Sequence, residues 1–128
     1  MTAKSDYLEN AILNHNLRNV PFTSPTTVYL ALFLDNPGEA AGGTEVSGGS
    51  YARRAVTFAA PAGGSCSNSA VVTFPTATAD WGTVTHAAIM DSLTGGNVMY
   101  YGILANPATV LITQTFQMNA GALGVREL

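Results

Sequence analysis

Thr27-Val28-Tyr29-Leu30-Ala31-Leu32-Phe33-Leu34 is the stretch that decides the fold. Successive side chains of a strand point to opposite faces. Read so, Val28, Leu30, Leu32 and Leu34 share one face, and Tyr29, Ala31 and Phe33 share the other. Both faces are apolar, as in a strand buried on both sides. Two layers must therefore cover it.

One cover is signalled upstream. Leu8, Ala11, Ile12 and His15 fall at helical spacing, with Leu13 and Leu17 widening the apolar stripe. Asp6 is the expected N-cap, with Glu9 completing a capping box. Asn14, Asn16 and Asn19 weaken the helix toward its end, and Pro21 stops it, so the helix is expected over residues 6–18. At about three turns it is too short to be stable alone in water. It must dock on its own sheet, on a second subunit or on a larger scaffold.

The other cover lies downstream. Alternation and turn residues predict strands at Arg53 to Ala59, Ala70 to Phe74, Thr83 to Met90, Val98 to Leu104, Thr109 to Met118 and Ala122 to Glu127. Leu93-Thr94-Gly95-Gly96-Asn97 reads as a hairpin turn and Asn106-Pro107 as another. A Gly-rich loop at 35–50 joins the first strand to the second; loops of this length are often functional. With no internal repeat and no linker, residues 1–128 read as a single domain. The expected class is mainly β: an antiparallel β-sandwich or small barrel of about seven strands, with one N-terminal α-helix.

The chain is 47% hydrophobic but only 10% charged. Soluble domains average about 25% charged residues. The surface must be built largely from Thr, Ser, Asn, Gly and Ala. That suits a protein covered by copies of itself or by a larger assembly, so a homodimer or homotrimer is expected. The net charge is −3, and Lys4, Arg18, Arg53, Arg54 and Arg126 form no basic stripe, which excludes nucleic acid as a partner. No apolar run approaches the ~20 residues that span a bilayer, so no membrane partner is expected. Met1 to Asp6 lacks a signal-peptide core, and Cys66 is the single cysteine. Both features point to a chain made in a cytoplasm.

Catalytic chemistry is nearly absent. His15 belongs to the helix stripe, and His86 has no His or Cys at ligand spacing. Asp35, Glu39, Glu45, Asp80 and Asp91 are scattered. Gly42 to Ser50 resembles a phosphate cradle in glycine content but lacks the Gly-Lys-Ser/Thr ending. Gly49-Ser50-Tyr51-Ala52-Arg53 does not complete Gly-x-Ser-x-Gly. No cofactor, metal or catalytic residue is expected, and the chain does not read as an enzyme.

Three features remain. Ser50-Tyr51-Ala52-Arg53-Arg54 closes the loop with one ring and two guanidinium groups. It reads either as a contact site or as a loop-end ion pair to Asp35, Glu39 or Glu45. Ala79-Asp80-Trp81-Gly82 places the single Trp at a turn, as a core plug, a subunit contact or a sugar-stacking platform. Ala120 to Gly124 is small enough for another chain to approach closely. The contact candidates are Leu8, Ile12, Tyr51, Arg53, Arg54 and Trp81.

Asp6 to His15, Ser24 to Leu32, Gly43 to Arg53, Ala77 to His86 and Thr94 to Asn97 together resemble a family of small tailed-bacteriophage structural proteins. Its members often carry the label tail fibre protein. The Gly-Ser-Tyr-Ala-Arg and Ala-Asp-Trp-Gly blocks are the most specific part of the resemblance. It implies a virion structural protein and supplies no catalytic or ligand residues. A fibre calls for a long trimeric shaft, and this sequence has neither heptads nor repeats. The expected function is therefore a capsid cement, or decoration, protein on the capsid surface, bound across the phage major capsid protein or another virion protein. The alternative is a tail or head fibre protein that binds a host-surface glycan. An exposed aromatic ring bordered by polar groups would mark the second.

Overall fold

The computed structural model describes residues 1–127. Its centre is a five-stranded antiparallel sheet. Strand β1 is Ala3–Lys4, followed by helix α1 at Asp6–Leu17 and β2 at Val28–Phe33. Next come β3 (Arg54–Val56), β4 (Ser65–Ser67), β5 (Val72–Thr73), β6 (Gly82–Met90), β7 (Val98–Val110), β8 (Gln117–Met118) and β9 (Gly124–Arg126). The main sheet runs β1-β7-β6-β2-β3, while β4 pairs with β9 and β5 with β8 in two small sheets. The architecture is mainly β with one N-terminal helix, and no barrel closes.

The expected double burial of β2 is what the sheet is built on. Leu30 and Leu32 enter the larger core cluster with Val56, Val84, Ala87 and Ile89. Phe58, Val72, Phe74, Phe116, Met118, Leu123 and Val125, in and around the two small sheets, close that cluster from above. On the opposite face Ala31 and Phe33 pack with Ala88, Met90 and Val98, beside Tyr29 and Tyr101. Helix α1 packs against β7 and β1 and buries Leu8.

Helix α1 starts at Asp6, as expected, but its cap lies one residue earlier than expected. Ser5, not Asp6, is the N-cap: its Oγ accepts the Leu8 N–H at 3.3 Å and donates to the Val98 carbonyl. A hydroxyl can cap the helix and bond a strand at once, which a carboxylate cannot do. At the other end Asn19 adopts φ 54°, and the Val20 N–H returns to the Asn14 carbonyl at 3.1 Å. The left-handed Asn and this returning bond close the helix, so it ends before Pro21 acts. His15 is exposed in the last turn instead of packed.

Two further expectations change. Asn106-Pro107 does not reverse the chain. Strand β7 runs on to Val110 and bulges, so that Thr85 alone faces Leu104 to Pro107. The missing proline N–H is tolerated at such a bulge. Thr109 to Met118 is not one strand either. Thr113 takes φ 74°, the Gln114 N–H closes a turn onto the Leu111 carbonyl at 3.0 Å, and pairing resumes only at Gln117. The alternation there marks a turn between two short pairings. The expected seven strands become nine among the described residues, since β1 and β4 were not foreseen.

Phe74 is almost fully buried, edge-on to Trp81 and Phe116 at centroid distances of 6.5 and 5.6 Å. It is the ring on which both halves of the second layer meet. Phe74→Ala is expected to lower unfolding free energy by about 3–5 kcal/mol, as large-to-small core changes do. Urea unfolding followed by Trp81 fluorescence checks it.

Candidate functional site

The Gly-rich loop is pinned at both ends. Asp35 Oδ1 accepts the Thr44 N–H at 2.6 Å, and the Leu34 N–H reaches the Thr44 carbonyl at 2.9 Å. The Glu39 carbonyl accepts the Asp6 N–H at 2.9 Å, which ties the loop to the start of α1. Between these ties, Glu39 to Thr44 is exposed.

Beyond Leu30, β2 has no β3 residue beside it. Its edge is finished by other groups. Glu45 bridges to Phe33, and the Val46 N–H bonds the Leu32 carbonyl at 3.0 Å. The Leu32 N–H donates to the Tyr51 hydroxyl at 3.0 Å. That hydroxyl donates in turn to Glu45 Oε2 at 2.7 Å.

Arg53 completes the network. Its Nε and Nη2 donate to the two Glu45 oxygens at 2.9 and 2.8 Å, a fork matched to a carboxylate. Its Nη1 donates to the carbonyls of Ser92 and Gly95, each at 2.8 Å. One guanidinium thus locks the loop end to the β6–β7 hairpin, and its side chain is only 9% exposed. The ion pair expected at the loop end is made with Glu45. Burial pushes the Glu45 carboxyl up, but the Arg53 and Tyr51 hydrogen bonds and the Arg53 charge outweigh it and hold the group below its ordinary value. The Tyr51 hydroxyl is driven far above its ordinary value by burial and by its bond to Glu45. It is a fixed donor, not a proton shuttle.

The Gly-Ser-Tyr-Ala-Arg block touches the Ala-Asp-Trp-Gly block directly. The Gly49 carbonyl accepts both the Trp81 indole N–H at 2.9 Å and the Thr78 N–H at 3.0 Å. Ser50 and Thr78 hydroxyls bond at 2.9 Å. Gly49 has φ 56°, and a Cβ there would lie 2.8 Å from Trp81 Nε1 and 2.9 Å from the Ala79 carbonyl. Only glycine fits. The Trp81 ring is 4% exposed and stands edge-on to Tyr51 at 5.4 Å. Asp80 Oδ1 accepts the Ile112 N–H at 2.8 Å, which anchors the Leu111–Gln114 turn to the same unit.

The contact candidates therefore occupy different surroundings. Leu8 and Trp81 are buried, the Arg53 side chain is nearly so, Ile12 and Tyr51 are half-buried, and Arg54 is exposed on β3. Tyr51 and Arg53 come together with Trp81 in one cluster; Leu8 and Ile12 lie apart on α1. Sequence reading did not foresee Glu45 as the centre of the network or Gly49 as the acceptor for Trp81. The spacing of acid, ring and guanidinium at 45, 51 and 53 was the available signal.

An open groove of about 420 Å³ lies over this cluster, with Glu45, Tyr51 and Arg53 below and Leu93 and Thr94 at the rim. The charged and phenolic groups of Glu45, Tyr51 and Arg53 there are bonded to one another. His86 is half-buried, with Nδ1 2.8 Å from the Thr85 hydroxyl. Among the described residues no group of three or more His, Cys, Asp or Glu is placed to hold a metal. Among the described residues no helix is long and apolar enough to cross a membrane.

Lysine at position 53 would keep the charge and lose the fork. Arg53→Lys is expected to cost roughly 1.5–3 kcal/mol at pH 7, the range for hydrogen bonds to charged groups. The pH dependence has a definite sign. Because folding lowers the Glu45 value, its stabilisation is complete above the ordinary value of 4.5 and is lost as pH falls through the lowered folded value. Glu45→Gln should therefore lose stability near neutrality and show a shallower acid limb below pH 4.5 than the parent protein. Urea midpoints measured from pH 7 to pH 3 check both statements.

The whole folded unit, and not one motif, finds a counterpart among known families. Residues 3–126 match the family model described as podophage GP4 fiber I protein gp80. No curated protein matches the chain. The match spans both central blocks, the helix and every strand of the main sheet, and the chain belongs to this family of phage virion structural proteins.

Proposed function

We propose that this chain is a structural subunit of a phage fibre that works by docking to other protein subunits, without catalysis and without stacking a host glycan. The family match over nearly the whole chain, to a model described as a fibre protein, supports the fibre reading. The docking mode is supported by where the rings lie. Sugar recognition asks for an exposed aromatic face beside convergent polar groups. At the central cluster Trp81 is buried, the Tyr51 hydroxyl is spent on Leu32 and Glu45, and nearer β1 Tyr100 donates to Glu127 at 2.9 Å; the exposed Tyr7 ring lies apart from them on α1, beside Asn10 and Asn14. The surface is poor in charge, so covering it strips few ions of water.

Capsid cement is the second reading. Its support is the build of the molecule: a compact sheet with a 12-residue helix and no shaft-forming segment among the described residues. Such a unit could sit across joints between capsid subunits, where lattice geometry makes weak contacts multivalent. Bound there it would favour the assembled shell by mass action.

Particles assembled without this protein distinguish the two. The fibre reading expects them to hold their DNA at the same temperature as complete particles and to adsorb poorly to host cells. Early DNA release on heating with normal adsorption would instead establish cement. Density for the protein in intact virions gives the same answer independently.

A further inference from the structure

The two halves of the second layer are filled differently. Over β5 and β8 the space between the layers is closed by the rings of Phe74, Trp81 and Phe116. Over β4 and β9 the roof is Phe58, Cys66 and Val125, of which only Phe58 is large. Cys66 and Val125 stand opposite each other in the β4–β9 register, so their side chains share one face. The floor beneath them is the main sheet: Val28 of β2, Ile89 of β6, and Met99 and Tyr100 of β7. A cavity of about 190 Å³ is left between roof and floor.

That roof cannot settle onto the floor. On one side it continues from β3, which is paired to β2, into the Phe58–Asn68 bridge and the bond from the Ala59 N–H to the Ser67 carbonyl at 2.9 Å. On the other side the Met1 ammonium donates to the Gly124 carbonyl at 2.7 Å, and the Arg126 N–H donates to the Met1 carbonyl at 2.9 Å. Glu127 is held there by Lys4 and by the Tyr100 hydroxyl. A backbone fixed on both sides relaxes only partly around side chains too short to fill the space, so the void persists. Ile89 and Met99 are buried at its closed end, while Val28, Phe58, Cys66, Tyr100 and Val125 are half-buried and leave a way in from solvent.

The lining selects the guest. Among the described residues no charged side chain faces the cavity, and its one side-chain oxygen, the Tyr100 hydroxyl, is donated to Glu127 at 2.9 Å. A buried water needs about two to four polar partners; of the side chains only the Cys66 thiol, a weak donor, is left. An engineered apolar cavity of about 150 Å³ stays dry and takes up benzene. This one is somewhat larger, and the sulfur atoms of Cys66 and Met99 lie in it beside the rings of Phe58 and Tyr100. Sulfur against a ring edge is a favourable contact, which suits an aromatic guest.

We propose that this cavity is a binding site for a small, uncharged aromatic molecule, a ring with or without a short alkyl substituent, of about six to eight carbon atoms. The guest supplies the packing that Cys66 and Val125 are too short to give and joins the β4–β9 sheet to the main sheet. The site is separate from the groove over Glu45, Tyr51 and Arg53, and the proposal stands whether the subunit belongs to a fibre or to the shell.

Toluene added to the purified full chain is the probe. The methyl resonances of Val28, Ile89, Met99 and Val125 should shift saturably, with a Kd of about 1 mM or tighter, an affinity open to a ligand of so few atoms. Benzoate, the same ring carrying a carboxylate, should leave them unmoved, because its charge finds no partner inside. Toluene at about five times its Kd should slow modification of Cys66 by a thiol reagent about sixfold, the factor 1 + [L]/Kd. Val125→Phe and Cys66→Leu fill the void from the roof, and each should abolish the shifts while far-UV circular dichroism verifies the fold. Should one of them fail to fold, the other decides, and the benzoate comparison on the parent protein needs neither. The proposal is overturned by the absence of a saturable shift up to the solubility of toluene, by an equal response to benzoate or by shifts centred elsewhere on the molecule. An unprotected thiol, or undiminished toluene binding in a folded Val125→Phe or Cys66→Leu protein, overturns it as well.

Discussion

Strand β2 buries Leu30 and Leu32 on one face and Ala31 and Phe33 on the other, and the molecule is organised around that double burial. A single sheet cannot hide both faces, so the chain must supply two unlike covers. The two small sheets and their aromatic residues take one face; α1 docks on the β7–β1 side. A doubly covered strand still exposes its edge, and open edges invite pairing with other chains. Glu45, Val46 and the Tyr51 hydroxyl close it. The Arg53 fork then fixes the closing groups in place.

Low charge has a structural counterpart. Two ion pairs are formed among the described residues, Lys4–Glu127 and Arg53–Glu45. The exposed surface instead carries hydroxyl pairs: Thr83 with Thr109, Thr76 with Thr115, and Thr57 with Ser69, at 2.8–2.9 Å. Each pair satisfies one donor within the protein. Covering such a surface costs less than covering ions, which must be fully repaired once water leaves. Composition, surface chemistry and a life inside an assembly thus point in one direction.

Long elements with a clear period were legible in the sequence. The two-faced β2, the alternation of β6, the helix and the Gly95-Gly96 turn each declare themselves over several residues. The loop-end ion pair was legible because acid and guanidinium lie eight residues apart across a glycine-rich reversal. Illegible elements share a different property. Strands β1 and β4 are two and three residues long and pair with partners 98 and 59 positions away, Ala3 with Tyr101 and Cys66 with Val125. No local pattern can encode a pairing that only the closed fold creates. Asn106-Pro107 misled for the opposite reason. Its turn chemistry is real, but strong pairing on either side reduces the turn to a bulge. Ser5 outcompeted Asp6 as cap because it also had the Val98 carbonyl to satisfy.

The two blocks that make the sequence recognisable turn out to face each other inside the molecule. Gly49 offers its carbonyl to Trp81, and Tyr51 stands edge-on to Trp81 while its hydroxyl donates to Glu45. Such residues are fixed by geometry: a Cβ at Gly49 has no room, and lysine cannot replace the Arg53 fork. A family signature of this kind identifies a scaffold and leaves its attachment surface to residues with more freedom. Exposed Arg54, the Glu39–Thr44 stretch and the outer side of α1 are such residues. Shape is held by this interior, whereas at exposed positions a substitution can change a contact and spare the fold.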